Sequence, residues 1–208
     1  MSLHTADSIA RVQFIRKATL LLAILGACVL AAVTRSQGGA DGLTHEAIEA
    51  MGLGMIALCV VGRAWCSLYI GGRKKAEIVE QGPYSISRNP LYVFSFIGAF
   101  GMGAQTGTIT IATLFLVIAL GVFYMTVRKE EAWLEAHFGD AYRAYCALTP
   151  RFWPDFSKWR DSQTIEVRPS FFLITLRDGL AFFLAVPLFE ALEHAQDVGW
   201  VSVMFSLP

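Results

Sequence analysis

The chain has 208 residues, of which 55% are hydrophobic and 16% are charged, and its formal net charge at neutral pH is zero. Soluble domains carry fewer apolar and more charged residues, so the composition favours an all-α integral membrane protein. The lack of net positive charge argues against nucleic acid as a partner.

Two apolar stretches near the amino terminus are each long enough to cross a bilayer, which takes about 20 residues. The first, Phe14 to Thr34, is too long for the apolar part of a typical signal peptide and no clear cleavage site follows it, so we expect it to be retained. The second, Glu46 to Ile70, contains Arg63, which must face protein or water because a charge facing lipid is costly. The basic cluster after it, Gly71 to Lys75, is typical of a cytoplasmic loop.

The next two spans are predicted to form a helical hairpin. They run from Pro90 to Gln105 and from Ile109 to Val127, joined by a Thr-Gly-Thr turn. Asn89 and Pro90 suit the N-cap and the first position of a helix. Because a hairpin returns to the side it left, both of its stems lie on one side of the membrane. The positive-inside rule, applied to Arg128 and Lys129, makes that side the cytoplasm.

A fifth span is predicted from Pro169 to about Leu192, after a polar surface segment, Ser157 to Arg168. The tail, His194 to Pro208, is expected to lie at the interface and not to cross. With the amino terminus inside, about five transmembrane helices leave the carboxyl terminus outside.

A run of polar and turn-forming residues stands where the second and third spans meet: Gly82-Pro83-Tyr84-Ser85-Ile86-Ser87-Arg88-Asn89-Pro90-Leu91-Tyr92. A helix start carries free N–H groups and a partial positive charge, and Arg88 adds a planar donor fork, so this is a competent site for a carboxylate or a phosphate. The alternative is that Arg88 extends to a lipid phosphate while Tyr84 and Tyr92 form an aromatic belt.

Glu130 and Glu131 follow the fourth span directly. Apolar and aromatic residues then recur at helical spacing, and they predict a surface helix that covers the site: Trp133, Leu134, His137, Phe138, Ala141, Tyr142 and Tyr145. The alternative is an ordinary interfacial helix whose glutamates are solvated and balance nearby basic residues. Two acids opposite Arg88 favour a ligand with an anionic end and a cationic or hydroxyl-rich end.

With Pro150-Arg151-Phe152-x-Pro154, these blocks resemble the isoprenylcysteine carboxyl methyltransferases and the related phospholipid methyltransferases over residues 78 to 154. Many members have His where this chain has Asn89. The resemblance implies S-adenosyl-L-methionine as cofactor, with Arg88, Glu130 and Glu131 as catalytic residues. It implies cofactor contacts at Gly82, Tyr84, Arg88, Asn89, Tyr92, Glu130 and Glu131.

The predicted organisation is a single membrane domain, 1–208. Residues 1–77 supply the amino-terminal helices, 78–154 the cofactor-binding core, and 155–208 a cytoplasmic segment, the fifth helix and the tail. The predicted activity is methyl transfer to a lipophilic acceptor from the bilayer: a prenylcysteine-type carboxylate, a phospholipid amine or a small thiol. Arg177, at depth in the fifth span, is a candidate for binding this substrate; alternatively it pairs with Asp178. The oligomeric state stays open.

Two other functions are considered. The carboxyl-terminal parts of NADPH-dependent sterol reductases look similar to the hairpin and its glutamates, although this chain lacks an evident basic pocket for a 2′-phosphate. A non-enzymatic membrane scaffold would bind no nucleotide-sized ligand. The cysteines and histidines show no metal-site spacing, so we expect no metal site: Cys28, Cys59, Cys66, Cys146, His4, His45, His137 and His194.

Overall fold

The computed structural model describes residues 25–37, 42–73 and 76–208. Residues 25–33 are helical and are called α1. The other helices are α2 (Leu43–Ile70), α3 (Pro83–Ile86), α4 (Pro90–Ala104), α5 (Ile109–Phe138), α6 (Asp140–Leu148), α7 (Pro169–Leu180) and α8 (Ala185–Asp197). Two 3₁₀ turns, Phe156–Lys158 and Ala181–Leu184, and two three-residue strands, β1 (Thr34–Ser36) and β2 (Phe205–Leu207), complete the regular structure of the described residues.

Three helical segments of the described chain are long and apolar enough to cross a membrane. They are α2 with 28 residues, α5 with 30, and the segment Pro169–Asp197 with 29. The apolar helix α4 is shorter, with 15 residues. Large apolar side chains on α5 and α7, including Val117 and Leu180, are exposed outside the bundle, where lipid would cover them. The all-α membrane class is therefore confirmed.

The helix α5 departs most clearly from its predicted bounds. It begins at the predicted Ile109, where the Thr108 hydroxyl accepts a hydrogen bond from the Ile111 amide. The predicted span ends at Val127, but the helix continues to Phe138, since residues 128–138 contain no glycine or proline. Gly139, with a φ of +54°, then turns the chain into α6. The predicted covering helix is therefore two pieces, the last turns of α5 and the separate α6.

The fifth span is interrupted and longer than predicted. A 3₁₀ turn at Ala181–Leu184 separates α7 from α8. Pro187, in the first turn of α8, has no N–H and its ring crowds the carbonyl four residues earlier, which explains the local departure from α-helical bonding. The segment ends at Asp197, beyond the predicted Leu192.

The carboxyl-terminal tail folds back onto the end of α1. The two strands pair in parallel, with Thr34 opposite Phe205 and Ser36 opposite Leu207. The Gln196 side chain donates to the Ala32 carbonyl over 2.8 Å. The part of the predicted first span before residue 25 lies outside the described residues.

The bundle has two ends that are distinguished below. At the hairpin end lie the α4–α5 turn, the start of α2 and the end of α8, where the Gln105 side chain donates to the Glu49 carbonyl over 3.0 Å. At the cleft end lie the carboxyl terminus of α2, α3, the start of α4 and α6. The positions of both hairpin stems at one end agree with the predicted hairpin.

The helices α2 and α4 approach closely through glycine. A Cβ atom added to Gly52 would lie 2.8 Å from the Gly101 carbonyl oxygen, and one added to Gly101 would lie 2.6 Å from the Gly52 oxygen. Small residues of this kind let membrane helices pack backbone to backbone. Gly54, two residues along α2, has open space beside it.

This difference predicts unequal effects of two matched substitutions on stability. We expect Gly52→Ala to lower the free energy of unfolding by about 1–3 kcal/mol, because overpacked side chains force backbone shifts. Gly54→Ala should leave it unchanged or raise it by up to about 1 kcal/mol, since alanine favours the helix. Thermal melting of both variants in detergent measures the effect, and equal melting temperatures would contradict the close packing of α2 on α4.

A candidate cofactor-binding cleft

A cleft of about 740 Å³, its mouth included, opens at the cleft end of the bundle. Six of the seven predicted cofactor-binding residues line it: Tyr84, Arg88, Asn89, Tyr92, Glu130 and Glu131. The end of α2, the segment 77–79 and the covering helix α6 supply the rest of the wall. The two sequence blocks, 42 residues apart between Asn89 and Glu131, therefore meet in one cavity.

The carboxylate of Glu131 is the centre of a buried charge cluster. Glu131 is only 8% exposed. Its Oε1 lies 3.3 Å from Arg88 Nη1 and accepts a hydrogen bond from the Asn89 side chain over 3.2 Å. Its Oε2 accepts from both Nε and Nη2 of Arg151, each over 2.8 Å. Both oxygens are thus occupied, so Glu131 holds two guanidinium groups in position.

Arg88 is fixed by its neighbours yet keeps donor capacity. Its backbone N–H donates to the Pro150 carbonyl over 2.8 Å, and Nη1 donates to Cys146 Sγ over 2.9 Å. Its Nε is buried without a hydrogen-bond partner among the described residues. Arg88, Arg151 and Glu131 together carry one net positive charge beside the amino terminus of α4, where the helix dipole adds to it. Arg88 therefore offers an anionic group a cationic contact in the cleft, beside the acidic lining residues Glu77 and Glu130.

Asn89 and Pro90 stand at the predicted N-cap and first position of α4, but the Asn89 side chain does not cap the helix. The side-chain amide group of Asn89 donates instead to Glu131 and, over 3.1 Å, to the Arg151 carbonyl. Its own carbonyl accepts from the Tyr92 amide over 3.0 Å. The side chain of Asn89 therefore joins the two sequence blocks.

Gly82 shapes the cleft without lining it. Its φ of +56° is a left-handed conformation that favours glycine, and a Cβ atom there would collide with the ring of Tyr69. The Gly82 amide donates to the Arg160 carbonyl over 2.8 Å, and the Ser85 hydroxyl accepts from the Arg160 amide over 3.0 Å. These bonds hold α3 against the loop that follows α6, so the structure gives Gly82 a structural role, and its cofactor contact stays a prediction.

Aromatic residues of α6 close one side of the cleft. The hydroxyl of Tyr145 donates to the Tyr84 carbonyl over 2.8 Å, which fastens α6 to α3. Burial raises the pKa of Tyr84, Tyr142 and Tyr145 well above the usual value for a phenol. These three residues are therefore neutral in the physiological range and act as apolar surfaces with hydroxyl groups.

Arg177 does not reach the cleft. Its side chain is 77% exposed, and Nη2 donates to Asp178 over 3.1 Å. The arginine lies on the outer face of α7, so the alternative reading from the sequence, a pair with Asp178, describes its contact in the structure.

A second cavity, of about 610 Å³ with the open space at its mouth included, lies beside the cleft and is almost wholly apolar. Its walls come from α1, α4, α5 and the 3₁₀ turn between α7 and α8. Phe123 lines this cavity, and its ring packs at a centroid distance of 5.2 Å against Tyr92, which lines the cleft. Arg63 sits at the margin, where it donates to Ser95 and lies 5.8 Å from the ring of Phe182.

The chain is similar in sequence to one protein family and to several known proteins. A family model described as phospholipid methyltransferase matches residues 51–141. The Nickel-cobalt-cadmium resistance protein NccN of Alcaligenes xylosoxydans xylosoxydans is 34% identical over 186 residues, 89% of this chain and 86% of that protein. Over residues 51–141 the chain belongs to the phospholipid methyltransferase family. It is thus a membrane protein of a methyltransferase family.

Two further relatives extend this family. The Cobalt-zinc-cadmium resistance protein CzcN of Cupriavidus metallidurans is 35% identical over 158 residues, 74% of this chain and 72% of that protein. The Protein-S-isoprenylcysteine O-methyltransferase of Schizosaccharomyces pombe is 30% identical over 95 residues, 45% of this chain and 40% of that protein. No solved structure matches the chain significantly.

Arg151, which holds the Glu131 carboxylate of the cleft, is the site residue that sequence reasoning missed. It lies beyond the region that the phospholipid methyltransferase family model matches, but within the Pro-Arg-Phe-x-Pro motif by which the family was recognised. A basic residue between two prolines was a usable signal, because prolines fix the backbone on which the guanidinium is carried. No comparable signal marks Ile78 and Val79, which line the cleft from an irregular segment.

Proposed function

We propose that this chain is a membrane methyltransferase that uses S-adenosyl-L-methionine and acts on a lipophilic acceptor. The observation that carries the proposal is the Arg88–Glu131–Arg151 ion cluster, whose Arg88 and Glu131 line a cleft that also holds Glu130, with Arg88 Nε unpartnered among the described residues. Such a cleft presents cationic and acidic groups to one small ligand.

The cleft residues fit the chemical groups of this cofactor. Arg88 would bind the carboxylate, because no described residue accepts a hydrogen bond from its Nε. Glu130 would accept from the ammonium or the ribose, because the carboxylate of Glu131 is already filled by two arginines and Asn89. Tyr84, Tyr92 and Tyr142 would pack against the adenine ring. When bound, the cofactor supplies an electrophilic methyl group on a sulfonium.

The protein's contribution would be placement and exclusion of water. Methyl transfer from a sulfonium asks little of acids or bases, because the departing thioether is neutral. Part of the cleft lining is apolar and would exclude water from the reacting groups. It consists of the neutral tyrosines and of Ile78, Val79, Leu91 and Leu134. We therefore expect the three residues that the resemblance implies as catalytic to orient the reacting groups and not to transfer protons: Arg88, Glu130 and Glu131.

The apolar cavity beside the cleft supports a lipophilic acceptor. Its lining is built almost entirely of Ala, Met, Ile and Phe side chains, so it suits an alkyl or prenyl chain. The Tyr92–Phe123 contact shows that the cavity adjoins the cleft, so an acceptor chain in the cavity would have its polar end near the cofactor. Arg128 and Lys129 at the cleft end favour a cytoplasmic orientation by the positive-inside rule.

The proposal predicts a selective ligand response. S-adenosylhomocysteine should raise the melting temperature of the detergent-solubilised protein, because a ligand that binds only the folded state stabilises it by about 2.7 kcal/mol at a hundred times its Kd. NADPH at the same concentrations should have no effect. A response to NADPH alone would support the reductase, and no response to either ligand would support the scaffold.

Two relatives have names that refer to metal resistance. The cleft does not account for these names, because among the described residues its side chains form no group of three metal ligands. We propose that the methyltransferase activity is carried by the cleft irrespective of any metal.

A further inference from the structure

Three side chains with metal-binding atoms converge at the hairpin end of the bundle. His45 Nε2 lies 3.3 Å from Glu49 Oε1 and 3.1 Å from Glu193 Oε1, and the three ligand atoms all lie within 4.8 Å of one another. His45 and Glu49 are one turn apart on α2, and Glu193 comes from α8. The cluster is roughly 40 Å from the cleft, given the rise of α2 from His45 to Ile70.

The imidazole of His45 is held rigidly by the α4–α5 turn. His45 is 1% exposed, and a Cβ atom on Gly107 would collide with its ring. Gly107 has a φ of +62°, so glycine is required there both for the turn and for the ring. The buried Nδ1 has no hydrogen-bond partner among the described residues. The ring is therefore fixed by packing, with Nε2 facing the two carboxylates.

The cluster has more acidic than basic groups. Two carboxylates face one imidazole nitrogen, which has at most one proton to donate, so with both carboxylates ionised the trio carries a net charge of −1 or −2. Arg35 lies nearby but pairs with Asp197 over 2.6 Å, while Glu46 and Glu190 on the same helices add further negative charge. Partly buried carboxylates that share one donor are costly unless a cation compensates them.

Two of the three distances between the ligand atoms match those around a small divalent ion, and the third is no longer than 4.8 Å. Bonds of about 2.0–2.2 Å to nitrogen and carboxylate oxygen place neighbouring ligands roughly 3.0–3.5 Å apart, and the two distances from Nε2 fall in this range. One imidazole and two carboxylates suit zinc, cobalt, nickel or manganese. We propose that His45, Glu49 and Glu193 bind a divalent transition-metal ion, with open positions for water. This differs from the sequence expectation of no metal site.

The test uses the full-length protein in detergent after treatment with a chelator, titrated with Co²⁺ alone. We expect one ion per chain by calorimetry, with visible absorption bands from bound cobalt. Glu193→Gln and Glu49→Gln should each weaken Co²⁺ binding at least about tenfold. Glutamine has nearly the size of glutamate but replaces the charged carboxylate ligand with a neutral amide. Both variants avoid the packing defect that His45→Ala would introduce.

The matched controls are Glu46→Gln and Glu190→Gln. Each removes one negative charge from the same two helices at an exposed position outside the cluster. Co²⁺ affinity within about twofold of the wild type in these controls would support a coordinated site. The proposal would be overturned if the controls lost as much affinity as the cluster variants, which would indicate diffuse attraction, or if the wild type bound no cobalt.

Discussion

Arg88→Ala is expected to weaken S-adenosylhomocysteine binding by roughly 10- to 100-fold while the protein stays folded. A hydrogen bond to a charged group contributes about 1.5–3 kcal/mol, and each 1.4 kcal/mol is a factor of ten in Kd. The fold should survive because Glu131 keeps its bidentate contact with Arg151 when Arg88 is removed. Calorimetry measures the affinity, and transfer of a labelled methyl group to total membrane lipid measures the activity.

Arg143→Ala is the matched control for this prediction. Arg143 is exposed on α6 and pairs with Asp140 and Glu135 outside the cleft, so its removal should leave binding unchanged. Arg88→Lys should fall between the two, because lysine keeps the charge but loses the planar fork. Wild-type affinity in the alanine variant would show that Arg88 does not contact the cofactor.

Helix positions were readable from the sequence because they depend on local signals. Apolar length located α2 and α5, and Pro90 fixed the start of α4. The hairpin also brought Arg88 and Glu131 to one end, since a hairpin of two spans must return to the side from which it left. These features required only hydropathy, proline chemistry and chain direction.

The partners within the cleft were not readable in the same way. The sequence suggested a cationic and an acidic group that face each other across a ligand, whereas Glu131 contacts Arg88 and Arg151 directly. The distance between Arg88 and Glu131 depends on how closely α4 and α5 pack. Contacts such as that of Gly103 with the backbone of Ala112 set this packing distance. The strand pairing of the tail likewise depends on a partner more than 160 residues away.

Two polar clusters of different composition lie at opposite ends of α2. At one end, Glu131 holds two guanidinium groups, of which that of Arg88 lines the cleft and suits an anionic part of a ligand. At the other end, two carboxylates exceed one imidazole, which suits a cation. The apolar length of α2 lies between them, so the membrane would keep the two ligands on opposite sides, and each site can be tested without altering the other.

Glu131→Gln is expected to affect both stability and binding, in contrast to Arg88→Ala. The glutamine substitution leaves the buried guanidinium of Arg88 without a carboxylate partner. It also converts the bidentate ion pair between Glu131 and Arg151 into a contact with a neutral side chain. Loss of one partner of a buried ion pair costs about 3–5 kcal/mol; because Arg151 is one-third exposed and glutamine still accepts one hydrogen bond, we expect about 3 kcal/mol. Unfolding in detergent, followed by tryptophan fluorescence, measures this loss.

Glu135→Gln is the control, one turn further along α5. Its carboxylate is 53% exposed and lies 3.7 Å from Arg143, so its loss should change the free energy of unfolding by less than about 1 kcal/mol. In Glu131→Gln, cofactor affinity should also fall, because Arg88 and Arg151 lose the group that orients them. If Glu131→Gln bound S-adenosylhomocysteine normally and melted with the control, the buried carboxylate would not organise the cleft. If it lost affinity with unchanged stability, Glu131 would contact the cofactor directly and not position the arginines.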